Sequence, residues 1–64
     1  MMEKKRPIWI DEKKVSKITG RAIQTLRNDR FHGRGIPYYK IGRSVRYQLK
    51  DVYEFMEAGR IVTG

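Results

Sequence analysis

The sequence has no cysteine and a single histidine. Without cysteine the chain can form neither a disulfide framework nor a thiolate site for zinc or an iron–sulfur cluster. The histidine, His32, has no nucleophile or orienting carboxylate nearby at a spacing suited to catalysis. We therefore expect no metal, no cofactor, no small-molecule substrate and no catalytic residue, and we expect that the protein is not an enzyme.

Long apolar stretches are also missing. No run could span a bilayer, and the polar, basic start of the chain does not lead into an apolar segment of the signal-peptide kind. The basic residues are scattered instead of lying along one amphipathic helix, so an anionic membrane surface is a poor partner. We expect a cytoplasmic protein that binds no membrane.

Negative charge is scarce. The 64 residues carry 15 Lys and Arg against 7 Asp and Glu, a formal net charge of +8. Such an excess repels itself in the folded state and is relieved beside a polyanion. Nucleic acid is therefore the leading partner. The length allows one domain, close to the lower limit for a core without disulfide or metal support.

Apolar residues at helical spacing predict two short helices around Gly20. The first is expected over 12–18 with Asp11 as its N-cap, and the second over 21–30 after a turn at Thr19. A glycine after a short apolar run ends a helix in the left-handed conformation. The pair is either a helix-turn-helix or an ordinary helical corner, and the pattern alone leaves both open. The residues expected to face the core are Ala22, Ile23, Leu26, the stem of Arg30, and Phe31 from the following loop.

The other face of the second helix is polar and suits a DNA groove. It carries Arg21, Gln24, Thr25, Arg27 and Asn28. Arg binds guanine edges in bidentate fashion, and Gln and Asn bind adenine edges. We assign base reading to Arg21, Gln24 and Asn28, and phosphate binding to Thr25 and Arg27. The alternative is a solvated helix face.

Alternating residues over 36–47 predict a β-hairpin. A three-residue loop over 42–44 would pair Ile41 with Val45, Tyr39 with Tyr47 and Lys40 with Arg46. Both tyrosines would then face the core. The like-charge pair of Lys40 and Arg46, with Arg43 at the tip, would suit a phosphate backbone, so we interpret the hairpin as a wing. The alternative is a solvated face whose cations protect a sheet edge.

A last helix is expected to begin near Asp51, which forms a capping box with Glu54, and to end at Gly59. Its core side would be Val52, Phe55 and Met56. The predicted elements divide the chain into a flexible basic arm over 1–8, with Lys4, Lys5 and Arg6, a DNA-binding domain over 9–59, and a short tail over 60–64. Whether Ile61 and Val62 in the tail pack back or bind a partner stays open.

The order of these elements resembles a known family. The similarity lies in the segments 12–20, Thr25-Leu26, 36–47 and 51–55, and above all in Pro37, Lys40-Ile41-Gly42-Arg43 and Val45-Arg46-Tyr47, followed by Asp51. Together they resemble the small excisionase-type regulators, the AlpA-like group within the MerR-like winged helix-turn-helix proteins. The chain departs from that pattern at Arg21, where an apolar residue is usual, and at Ala22 and Lys50, where capping residues are usual.

The resemblance implies an α+β, mostly helical fold: a helix-turn-helix, a two-stranded wing and a C-terminal helix. The second helix would enter the major groove of double-stranded DNA, and Lys40, Arg43 and Arg46 of the wing would contact the backbone or the minor groove. The implied function is transcriptional regulation or excision of a prophage or mobile element, in a bacterial or phage protein associated with the nucleoid. An integrase or a second copy of the chain would be a further partner.

Two other functions are kept as alternatives. RNA binding would require aromatic residues on an exposed sheet face, where only Tyr38 is expected. A protein-docking module of a phage or DNA-packaging assembly would use Ile61 and Val62 to bind its partner.

Overall fold

Three helices and a three-stranded antiparallel sheet make up residues 6–62, the part of the chain that the computed structural model describes. The elements are β1 (Trp9–Ile10), α1 (Glu12–Thr19), α2 (Ile23–Phe31), β2 (Tyr39–Ile41), β3 (Ser44–Gln48) and α3 (Leu49–Ala58). The predicted α+β class is confirmed. The expected two-stranded hairpin is extended by β1, which pairs with β3 and places β3 at the centre of the sheet.

Local signals determine both ends of α1. The Asp11 side chain accepts a hydrogen bond from the Lys14 amide at 2.9 Å, as an N-cap does. At the other end Gly20 has a φ of 76° and donates its amide to the Ser16 carbonyl at 2.8 Å. The predicted cap and the predicted glycine terminus are both confirmed.

The second helix starts later than predicted because α1 holds the turn in place. The Arg21 amide donates to the Thr19 hydroxyl at 3.1 Å, and the Ser16 hydroxyl donates to the Arg21 carbonyl at 2.7 Å. These bonds keep Arg21 in the turn, so that Ala22 is the N-cap and α2 begins at Ile23. Ala22 is exposed, contrary to the expectation that it faces the core.

The hairpin register differs by one residue from the prediction. Its pairs are Tyr39 with Arg46, Lys40 with Val45 and Ile41 with Ser44. The turn is therefore the two residues Gly42 and Arg43, and Gly42 has the positive φ of 62° that such a turn uses. Every residue of β2 is exposed. Since register is enforced only where one face of a strand is buried, the apolar alternation of β2 carried little information.

The core receives one buried residue from each helix, one from β3 and one from the loop after α2. Val15 of α1, Leu26 of α2, Ile36 of the loop, Tyr47 of β3 and Val52 of α3 form one cluster. Ile10, Ile18, Val45 and Phe55 pack against it. Besides Ala22, three residues expected inside are exposed: Phe31 is 86% exposed, Met56 is 45% exposed and Tyr39 is 40% exposed. Ile61 and Val62 are also exposed and do not pack back.

The last helix begins two residues before the predicted start. Strand β3 runs directly into α3, and the first helical amide, that of Leu49, donates to the Ile8 carbonyl at 2.9 Å. A backbone carbonyl thus takes the place of a capping side chain, and Gln48 at the N-cap makes no side-chain bond. Asp51 lies in the first turn, so the predicted capping box is wrong, whereas the end at Gly59 is confirmed. None of the helices described has the length and apolar character needed to cross a membrane.

Replacing Gly20 by alanine should lower the free energy of unfolding by about 1–2 kcal/mol, the cost of a left-handed conformation with a Cβ. The space around Gly20 is open, so this conformational strain is the whole expected effect. Gly59 also ends a helix but has a φ of −90°, and Gly59→Ala is the matched control, with a change of about 0.5 kcal/mol or less. Urea unfolding measures both. Equal losses in the two variants would contradict this account of the turn.

Candidate nucleic-acid interface

Four of the five predicted recognition residues lie on one exposed face of α2. They are Gln24, Thr25, Arg27 and Asn28. Gln24 and Asn28 are one helical turn apart, and the Gln24 amide nitrogen lies 3.3 Å from the Asn28 side-chain oxygen. Helical periodicity was enough to find this group, because residues three and four apart share a face.

Arg21, the fifth residue, does not belong to this face. It lies in the turn before α2, and its Nη2 donates to Asp29 Oδ2 at 2.6 Å. The guanidinium carbon also lies 5.7 Å from the ring centre of Phe55 on α3. The prediction that Arg21 is part of the recognition helix is wrong, since the side chain joins the turn to α2 and α3.

The partner of Arg21 is a buried carboxylate. Asp29 is 8% exposed and also accepts a bond from Arg34 Nε at 3.3 Å. The hydrogen bond from Arg21 lowers the pKa of Asp29; burial opposes the shift and Arg34 adds to it. The backbone of Gly35 passes so close that a Cβ there would lie 2.9 Å from the carboxylate. The sequence does hold a signal for this role, because Asp29 follows the buried Leu26 by three residues.

A second ion pair joins α2 to the start of α1. Arg27 donates to Glu12 through Nη2 at 2.6 Å and Nε at 3.2 Å, and Arg30 Nη2 lies 3.3 Å from the same carboxylate. The hydrogen bond from Arg27 is the largest cause of the lowered pKa of Glu12. The Arg27 side chain remains 55% exposed, whereas that of Arg30 is 16% exposed. Arg30 also donates to the Tyr47 hydroxyl at 2.6 Å.

A groove separates this ion pair from the hairpin. Its volume is about 320 Å³. The lining residues are Asp11, Glu12, Lys13, Arg27, Arg30, Arg43, Val45 and Arg46. Five of these side chains are cationic and two are acidic, so the groove has an excess of three positive charges (5 − 2). An anion the size of a phosphate would find several donors there.

The groove brings two of the three predicted wing cations next to the recognition helix. Arg43 and Arg46 line it together with Arg27, and Arg46 Nη1 is held by the Val45 carbonyl at 2.8 Å. Lys40 is exposed on β2, outside the groove, and pairs with Val45 across the hairpin. The predicted pair of Lys40 with Arg46 is therefore wrong. Lys4 and Lys5 of the predicted basic arm lie outside the described residues.

The His32 ring contacts the backbone of α2. Its ring Nδ1 lies 2.8 Å from the carbonyl of Asn28, at the end of α2.

Among residues 6–62, no group of three carboxylate or imidazole side chains is arranged to hold a metal ion. No protein-family model, curated protein or solved structure matches the chain.

Lowering the pH from about 5.5 to about 3 should destabilise the fold, because both Asp29 and Glu12 have lowered pKa values. Each binds its proton more weakly in the folded chain than in the unfolded chain. The stability that each carboxylate contributes is therefore present above its ordinary pKa and is lost as the pH falls through the folded one. Thermal unfolding followed by circular dichroism measures this loss.

The variant Asp29→Asn should melt lower than the parent near neutral pH and lose less on acidification. Glu54→Gln, which removes an exposed carboxylate of α3, should follow the parent curve. Parallel acid curves for the parent and Asp29→Asn would show that the Asp29 ion pair contributes no stability.

Proposed function

We propose that the protein binds double-stranded DNA in a sequence-specific manner as a winged helix-turn-helix of the excisionase type. The observation that carries the proposal is one continuous surface, formed by the amide-bearing face of α2 and the cationic groove beside it. In this assignment α1 and α2 are the helix-turn-helix, and β2 with β3 is the wing.

Base reading is assigned to Gln24 and Asn28. Their side chains are exposed and one turn apart, and each can form paired hydrogen bonds with an adenine edge in the major groove. The bond between them is between neutral groups at the solvent surface, so little free energy is lost when it is exchanged for bonds to bases. Thr25 lies beside them and is assigned to phosphate.

Phosphate binding is assigned to the cations around the groove. Arg27 lies on its helical side and Arg43 and Arg46 on its hairpin side, so a backbone lying in the groove would contact both elements. Lys13 and Lys40, both exposed, extend the positive surface. With five phosphates neutralised, log K should fall against log salt with a slope of about −4 to −5.

The biological role proposed is regulation of transcription, or excision of a prophage or mobile element. This part rests on the resemblance of the hairpin and flanking segments to the excisionase-type regulators. A domain of this size covers little DNA, so high specificity would come from several copies on adjacent sites or from binding beside an integrase.

Selection from a random duplex library should enrich one DNA motif for the parent protein. The double variant Gln24→Ala with Asn28→Ala should lose that enrichment, with an affinity for the selected site about 5- to 150-fold lower per base contact, while its salt slope stays near that of the parent. Arg43→Ala is the contrasting variant. It should keep the motif and reduce the slope by about one.

Binding without enrichment, or no binding above background, would contradict sequence-specific recognition by this surface. A double variant that selected the parent motif would contradict the assignment of Gln24 and Asn28 alone.

The Glu12 carboxylate competes with phosphate for Arg27, so Glu12→Gln should strengthen duplex binding and make the salt slope steeper by about one. Glu57→Gln changes the net charge equally, but Glu57 is exposed on α3 and does not line the groove. Titration of a labelled duplex at several salt concentrations compares the two variants. The same slope for both would show that only net charge matters and that Arg27 does not meet phosphate.

A further inference from the structure

Two aromatic side chains are partly exposed on the outward face of the sheet. Trp9 of β1 is 42% exposed and Tyr39 of β2 is 40% exposed. Their ring centres are 4.9 Å apart and their planes make an angle of 88°, an edge-to-face pair. The pair leaves part of each ring open to solvent.

The sheet register explains why these rings meet there. Trp9 pairs with Gln48 and Tyr39 pairs with Arg46, two positions of β3 that point to the same side because they are two residues apart. The buried Tyr47 lies between them and points to the core. The rings therefore approach each other from the two outer strands, across the outward face of β3.

The charge around this face identifies the kind of partner that would cover it. Arg46 lies on this face beside Tyr39, Arg43 lies exposed at the hairpin tip, and residues 30–50 contain no Asp or Glu. Such one-sided charge would not attract an apolar protein surface, but it would attract a polyanion. Exposed aromatic rings within a cationic surface are what single strands require, because unpaired bases offer flat faces for stacking that a duplex keeps hidden.

We propose that the outward face of the sheet binds single-stranded nucleic acid by stacking unpaired bases on Trp9 and Tyr39. Arg46, which pairs with Tyr39 on the same face, and Arg43 at the hairpin tip supply the contacts to the flanking phosphates. This site goes beyond the duplex surface of α2, because Trp9 and Tyr39 do not line the groove beside that helix, whereas Arg43 and Arg46 border both surfaces.

The sequence contains one tryptophan, so the protein reports on this site by its own fluorescence. Oligo(dT) and oligo(U) of about twelve nucleotides should each quench Trp9 on binding, and a blunt duplex of the same length should not. Quenching by oligo(dT) alone would identify the ligand as DNA, and quenching by oligo(U) alone would identify it as RNA.

Two variants separate stacking from charge and from folding. Tyr39→Ala should weaken oligonucleotide binding about 5- to 150-fold, and Tyr39→Phe should retain it, because base stacking needs the ring and not the hydroxyl. Phe31→Ala removes an aromatic side chain that is 86% exposed at the end of α2, and it should bind like the parent. Circular dichroism confirms that each variant is folded.

Three results would overturn the proposal. They are oligonucleotide binding with no change in Trp9 fluorescence, equal binding by Tyr39→Ala and the parent, and a fluorescence change that depends on protein concentration alone. The last would place a second copy on this face. The double variant Gln24→Ala with Asn28→Ala should bind oligonucleotides like the parent, so failure of duplex recognition and failure of stacking are distinguished.

Discussion

The buried carboxylate of Asp29 on α2 joins this helix to the turn before it and to the loop after it. It binds Arg21 before α2 and Arg34 after it, so one side chain joins the turn that opens the helix to the loop that follows it. Arg21 extends the link to α3 by lying against the Phe55 ring. A buried charge is tolerated only when it is paired, and here the pairing is also what orients α2. The orientation of the exposed face of α2 depends on this arrangement together with the bonds from Arg27 to Glu12 and from Arg30 to Tyr47.

Elements whose ends are determined by neighbouring residues could be predicted from the sequence. Asp11 and Gly20 bound α1, and Gly59 ends α3, through contacts within a few residues. The starts of α2 and α3 could not be predicted in the same way. One depends on the hydroxyls of Ser16 and Thr19 in α1, and the other on the carbonyl of Ile8, 41 residues away in the sequence. Capping rules based on adjacent side chains contain no information about such partners.

The residues of the candidate site also fall into two groups, those placed by local sequence and those placed by tertiary contacts. Gln24, Thr25, Arg27 and Asn28 share a face because helical periodicity requires it. The role of Arg21 depends on a tertiary ion pair, and the positions of Lys40 and Tyr39 depend on a register that no buried residue of β2 enforces. The predicted register turned Tyr39 inward, which is why the aromatic surface shared with Trp9 was not anticipated. Residue types alone predicted a nucleic-acid partner, whereas the second proposed surface depends on the backbone pairing of the sheet.

The direct passage of β3 into α3 has a mechanical consequence. No loop residue separates the two elements, and the Leu49 amide is bonded to the carbonyl of Ile8, the residue before β1. Because β3 continues without a loop into α3, whose Val52 is buried in the core, a tilt of β3 relative to the core would also move α3. In the proposed complex, a duplex that did not fit the groove would then have to bend to reach both α2 and the hairpin.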